Sequence, residues 1–252
     1  MDVFRSWEGD MLPGMRGMIF LLAVMGLANG ASAAEADGLI GNLVSAREAL
    51  EDAPFAEVVR ASAGKRVIPL DLARDSGLLE RIGEALDQAL SRLRESSHPA
   101  HDEKRINEVS RHFESGIRDA LNEVEGFTCD YPKTADGRTL RSGYPDLRLV
   151  VKDSGRVIYL DPKLFQADLR GSSLRTFYFT PQAESGKILD DGHHLLVGIS
   201  HRGKADGVWQ FGGWELVDLA RFRVRLKLEF QAGNRDIYRE ENIVARSKAG
   251  NE

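Results

Sequence analysis

A chain of 252 residues with 29% charged and 42% hydrophobic residues has the balance of a soluble globular protein, sized for one large domain or a domain with a helical extension, which excludes intrinsic disorder. Its formal net charge of -5 excludes a general polyanion binder, so any affinity for nucleic acid has to come from local clusters of Lys and Arg. The lone Cys129 excludes an intramolecular disulfide and reads as a small buried hydrophobe rather than a nucleophile.

Near the N-terminus, Met15-Arg16 precedes an apolar run from Met18 to Leu27, and Ala31-Ser32-Ala33 has the small residues of a signal-peptidase site. Residues 1–34 therefore read as a secretory signal peptide, giving a secreted or periplasmic protein with no membrane attachment after cleavage; a retained N-terminal anchor is the other reading. Residues 1–14 resemble neither a signal nor a folded element, which leaves Met15 or Met18 as the candidate start. Loss of this segment would leave the mature chain mildly acidic at -4.

Residues 35–100 read as a helical region. Leu39, Ile40, Leu43, Val44 and Leu50 recur at helical spacing, and Pro54 suits the first turn of a second helix carrying Phe55, Val58 and Val59. Leu78, Leu79, Ile82, Leu86, Leu90 and Leu93 form a stronger third stripe, with Asp75 or Ser76 as the candidate N-cap. A fourth helix is predicted over 102–125, its stripe made of Ile106, Val109, Phe113, Ile117, Leu121 and Val124.

A β-hairpin follows. Leu147, Leu149 and Val151 share one face of its first strand, opposite Asp146, Arg148, Val150 and Lys152; Ile158, Leu160 and Pro162 share one face of the second, opposite Val157, Tyr159, Asp161 and Lys163. Matching the apolar faces demands an odd-sum register, such as Asp153 opposite Arg156 across a Ser154-Gly155 turn, since a one-residue slip would press polar onto apolar. That register places Asp146 opposite Lys163 and beside Asp161. Neighbouring carboxylates repel unless a divalent cation or a proton sits between them.

Pro145-Asp146 followed by Asp161-Pro162-Lys163 resembles the two halves of the motif of the PD-(D/E)XK nuclease superfamily, the fold of many restriction endonucleases, over roughly residues 101–200. The resemblance implies an α/β fold: a restriction-endonuclease-like core of a mixed central β-sheet flanked by helices, spanning 101–246 here, with an N-terminal helical extension and a polar tail over 247–252. It implies a Mg²⁺ (or Mn²⁺) cofactor held by Asp146, Asp161 and the Pro162 carbonyl, Lys163 orienting or deprotonating the attacking water, and a nucleic-acid substrate, DNA in preference. Proline at 162 departs from the usual middle residue but still offers a carbonyl. The family often adds an acid from its first core helix, for which Glu114 is the candidate. The alternative function is an exported, non-catalytic binding module that keeps the same fold.

Beyond the hairpin, Thr176–Thr180 and Leu195–Ile199 read as strands, and Arg221, Arg223, Arg225 and Lys227 alternate with apolar residues as a strand with one basic face. Arg170, Arg175, Arg223 and Arg225 are the candidate phosphate contacts, set against surface ion pairs or a charge-protected sheet edge. His193 and His194 would point to opposite faces of a strand, so they read as no metal site; His201–Lys204 reads as an exposed loop, and Trp209, Phe211 and Trp214 as core. No P-loop, Rossmann glycine motif, HExxH or GxSxG elbow is present, which removes Walker-type nucleotide hydrolysis, zinc proteolysis and elbow-type serine hydrolysis.

Overall fold

The computed structural model describes residues 33–173, 177–181 and 186–245, so nearly all of the segment read above as a signal peptide, Arg175 and the tail from 246 lie outside the described residues. Two compact units emerge. The larger runs from Asp52 to Val224, and the smaller combines the chain up to Glu51 with Arg225–Glu252. The smaller contains helix α1 (Ala33–Ala49) and a single-turn helix near Asn234, and Leu226 N–H donates to the Leu50 carbonyl at 2.9 Å. Among the described residues no helix is long and apolar enough to cross a membrane.

The larger unit is built on strands β2 (Phe127–Asp130), β3 (Leu147–Val151), β4 (Arg156–Gln166), β5 (His193–Ala205) and β6 (Val208–Asp218), ordered β2-β3-β4-β5-β6 in one sheet. Only β4 and β5 run parallel, so the sheet is mixed. Helices α3 (Ser76–Arg94) and α4 (Ile106–Glu123) pack on one face, and helix α2 (Phe55–Ala63) covers part of the other.

The apolar stripes explain this layering. Ile82, Leu86, Leu90 and Leu93 of α3 and Val109, Phe113, Ile117 and Leu121 of α4 recur every three or four residues, and all are buried with Leu147, Leu149, Ile158 and Leu160 in one core. Each such side chain contributes about 1.5–3 kcal/mol by leaving water. The reverse face carries Tyr159 and Val157, packed against Phe55, Val59 and Tyr144 in a second core. Asp75 stands at the N-cap of α3 but makes no capping bond, because its carboxylate is engaged by Arg156 at 2.9 Å. Trp209 and Phe211 lie in the first core, in line with the sequence reading.

Four local expectations are corrected. The hairpin keeps the predicted odd-sum register but is displaced by two residues, pairing Leu147 with Leu160 and Val151 with Arg156. A four-residue loop replaces the two-residue turn, with Gly155 at φ 66° closing it by donating to the Val151 carbonyl at 2.8 Å. One further step in this register sets Asp146 opposite Asp161 rather than opposite Lys163. Residues 177–180 form no strand: Phe177 and Phe179 pack edge-on to Phe55 at 5.4 and 5.6 Å, so burial of their rings rather than a ladder organises the segment.

The basic strand is almost absent. Leu219–Arg221 winds into a 3₁₀ turn capped by the Asp218 carboxylate, Phe222 turns into the second core, and only β7 (Arg223–Val224) pairs with β1 (Ala53–Pro54). Finally, His201–Lys204 belongs to β5, and the chain turns at Asp206-Gly207, both at positive φ, into β6. An Asp-Gly pair suits a tight hairpin turn.

Candidate active site

Asp146 immediately precedes β3, between two fixed points. Behind it Leu147 is fully buried in the first core, and ahead of it Tyr144 shares a 2.7 Å hydrogen bond with His194 Nδ1 in the second. The Asp146 N–H donates to the Leu160 carbonyl at 3.2 Å. Burial, with a smaller contribution from His193, drives His194 down to about 3, so its ring is neutral beside the tyrosine hydroxyl. His193 turns the other way, to the Ile68 carbonyl at 2.9 Å and to Arg156, as expected for adjacent strand residues.

On β4, Asp161 and Lys163 leave the same face two residues apart. Lys163 Nζ stands 2.8 Å from Asp161 Oδ2, 3.2 Å from Asp146 Oδ2 and 3.4 Å from the Pro162 carbonyl oxygen, so three oxygens from both halves of the motif converge on one cationic atom. Asp161 is 1% exposed, and its Oδ2 faces the ammonium without a well-directed hydrogen bond. Burial raises Asp161 to about 7; Lys163 opposes this, while the neighbouring Asp146 carboxylate adds to it. Lys163 itself is held above the usual lysine range, since attraction to both acids outweighs its burial. Each carboxylate is stabilised by positive charge, and one ammonium serves both.

That donor set fits a hard divalent cation, which binds carboxylate and carbonyl oxygens and completes its shell with water. Asp161 Oδ2, held by the Lys163 charge without a directed hydrogen bond, is the atom such an ion would share. Among the described residues no group of three His, Cys, Asp or Glu side chains could hold a metal, so a cation here would depend on two acids and a backbone carbonyl.

The other predicted residues that the structure describes are engaged with partners outside this triad. Glu114 binds Arg141 at 2.7 Å, and that guanidinium also lies over the Tyr131 ring at 4.2 Å. Arg170 pairs with Glu215 at 2.6 Å and Arg223 with Asp52 at 2.6 Å, both as exposed ion pairs. Arg225 belongs to the smaller unit, and Arg175 lies outside the described residues. Cys129 is buried, and desolvation pushes its thiol up to about 12, so it is inert.

The sequence reading missed Lys187. It is 4% exposed, and its Nζ donates to the carbonyls of Leu140 (3.3 Å) and Gly143 in the loop that delivers Asp146. Gly186-Lys187-Ile188 matches no motif; a lone lysine beside apolar residues carries no signal until the fold buries it.

Comparison with known proteins gives the family. Residues 49–241 match the Type II restriction enzyme MjaV family, a span that contains every strand of the sheet and all three convergent residues. The chain is also 30% identical over 207 residues to the Type II restriction enzyme MjaV of Methanocaldococcus jannaschii, covering 77% of this chain and 89% of that protein. The matched span holds the whole five-stranded mixed sheet, and the chain belongs to the Type II restriction enzyme MjaV family.

Proposed function

We propose that the protein is a Mg²⁺- or Mn²⁺-dependent endonuclease that hydrolyses phosphodiester bonds in DNA, with Asp146, Asp161 and the Pro162 carbonyl as cation ligands and Lys163 as the residue that orients the attacking water. The observation that carries this reading is the convergence of those three oxygens on Lys163 Nζ, within 2.8–3.4 Å. Family membership supports DNA as the substrate. A bound divalent cation would supply neutralisation of the charge that builds on the phosphate oxygens.

The chain's own residues do the rest. The two acids fix the cation against the end of the hairpin, and the ammonium of Lys163 donates hydrogen bonds that hold water in line with phosphorus. Because the acids keep Lys163 protonated, it works as a donor rather than as a base in this state. Water attacks phosphorus and gives up a proton to solvent, one P–O ester bond breaks, and the departing oxygen takes up a proton from solvent.

Cleavage of mixed-sequence duplex DNA in Mg²⁺ or Mn²⁺ tests the assignment. Asp146→Ala, Asp161→Ala and Lys163→Ala should each lower the rate on the order of 10²–10³-fold or more, the scale of losing a principal electrostatic group. Mn²⁺ should raise the melting temperature of the wild type and not of Asp161→Ala. An Asp161→Ala protein that cuts at the wild-type rate refutes the assignment, and metal-independent DNA binding without cleavage favours the binding-module reading. Export is a separate proposal resting on the leader pattern of residues 1–34, tested by sequencing the N-terminus of the mature protein.

A further inference from the structure

A cavity of about 190 Å³ opens beside Tyr144, walled by Ser62, Ser142, Phe179, Thr180 and Lys187. Its one charged lining group is the buried Lys187, fixed from two sides. Its own ammonium holds the Leu140 and Gly143 carbonyls, and the backbone N–H groups of Leu189 and Asp190 donate to the Tyr159 hydroxyl at 3.0 Å. The acids whose charge reaches it, Asp146, Asp161 and Glu114, are engaged elsewhere: the first two with Lys163 and the third with Arg141.

Among the described residues Lys187 therefore has only neutral carbonyl partners. A buried ammonium without an anion is expensive, and burial lowers its affinity for the proton accordingly. Solvent-accessible hydroxyls line the same wall, and Ser142 is exposed. An arriving anion would find a cation already held in place.

Only Pro145 separates the cavity wall at Tyr144 from Asp146, a chain distance of at most about 7 Å. Phosphates on one DNA strand advance about 3.4 Å each along the helix axis. A strand with one phosphodiester at the acid pair thus has a neighbouring phosphate within reach of the cavity. We propose that this cavity is a phosphate subsite in which Lys187, assisted by the Ser142 hydroxyl, binds a backbone phosphate flanking the bond to be cut. The proposal rests on the nuclease reading for the identity of the strand, and on the buried lysine alone for its preference for phosphate.

Two measurements on the full-length protein separate those dependences. Duplex DNA binding in Ca²⁺, to suppress turnover, should show a log affinity against log salt slope that is shallower by about 1 for Lys187→Met than for wild type, as expected for loss of one phosphate contact. Lys187→Arg should keep the wild-type slope. Ser142→Asp changes an exposed position, leaves the carbonyl bonds of Lys187 in place, and should also lose the contact by repulsion. Without DNA, millimolar inorganic phosphate should raise the melting temperature of the wild type more than that of Lys187→Met or Ser142→Asp.

Identical slopes and identical phosphate shifts for wild type and both variants overturn the subsite. If the wild type cuts DNA while those two differences are absent, the subsite falls and the nuclease stands. If phosphate stabilises the wild type through Lys187 but DNA is neither bound nor cut, the subsite stands and the nuclease falls.

Discussion

Asp161 is pulled two ways. Burial and the Asp146 carboxylate push it toward the neutral acid, and Lys163 pulls it toward the anion; the first pair prevails and sets its value at about 7. An acid whose value rises from 3.8 on folding weakens the fold as pH climbs from about 4 through 7, because the native state must then surrender a proton it holds more tightly than the unfolded chain does. Asp161→Asn removes that penalty. In chelator, its stability relative to wild type should improve steadily across that interval and level off above it, as measured by urea melts at successive pH values. A flat difference would show that the acid is not perturbed.

Asp75 has the opposite sign. Burial alone would raise it, but hydrogen bonds from Arg156, from the Asp71 N–H and from Arg74 outweigh this and hold it at about 2. Its contribution is complete above about 4 and is lost as pH falls toward 2. Asp75→Asn should cost on the order of 1–3 kcal/mol at neutral pH, since it leaves the Arg156 guanidinium without its anion. The gap between variant and wild type should close in acid melts below pH 4.

The hairpin of β3 and β4 is the element that creates the site. Its parity was legible in the alternation of Leu147, Leu149, Ile158 and Leu160, because one face had to meet the helices. Its length was not, since loops of two and four residues satisfy the same parity and differ only in how Gly155 closes the turn. The Asp206-Gly207 turn carried a usable hairpin signal, but the run of polar residues before it obscured a strand whose inward histidine, His201, is buried. The aromatic and basic runs misled for a common reason: alternation predicts a two-faced ribbon, not whether a partner edge exists to receive it. The two ends of the sheet are β2 and β6, and neither of those segments reaches them.

The parallel step from β4 to β5 depends on Gly192. A Cβ there would lie 2.7 Å from the Val157 carbonyl oxygen, a backbone atom that cannot swing aside. Gly192 also exchanges backbone hydrogen bonds with Arg66 and Ile68. Gly192→Ala should destabilise the protein by about 1–3 kcal/mol. Because β5 carries His194 and with it the anchor of Tyr144, cleavage should fall further than the folded fraction accounts for, which a comparison of melting curves with specific activity will reveal.

At the scale of the whole chain, the strands, both apolar cores and the candidate site all fall between Asp52 and Val224. A fragment of those residues lies within ordinary domain size and should melt cooperatively as a single unit. A broad or absent transition in calorimetry would show that the terminal segments are needed for its folding. The sequence exposed the two motif halves at this scale because they are local and polar. It could not expose Lys187, whose meaning depends on a loop more than forty positions away in the chain.

Where β3 stops at Leu147, β4 continues to Gln166 with β5 as its one neighbour among the described strands. Past the buried Asp161 and Pro162, the four residues from Lys163 to Gln166 consequently present a raw selvedge, the sort of border onto which a foreign polypeptide can stitch itself. Pro162 brings no amide hydrogen to such a seam, and Lys163 and Asp161 plant charge across it. The trio invoked for chemistry would thereby also act as a guard rail, so that neutralising it for mechanistic studies should leave a protein more prone to self-association at high concentration.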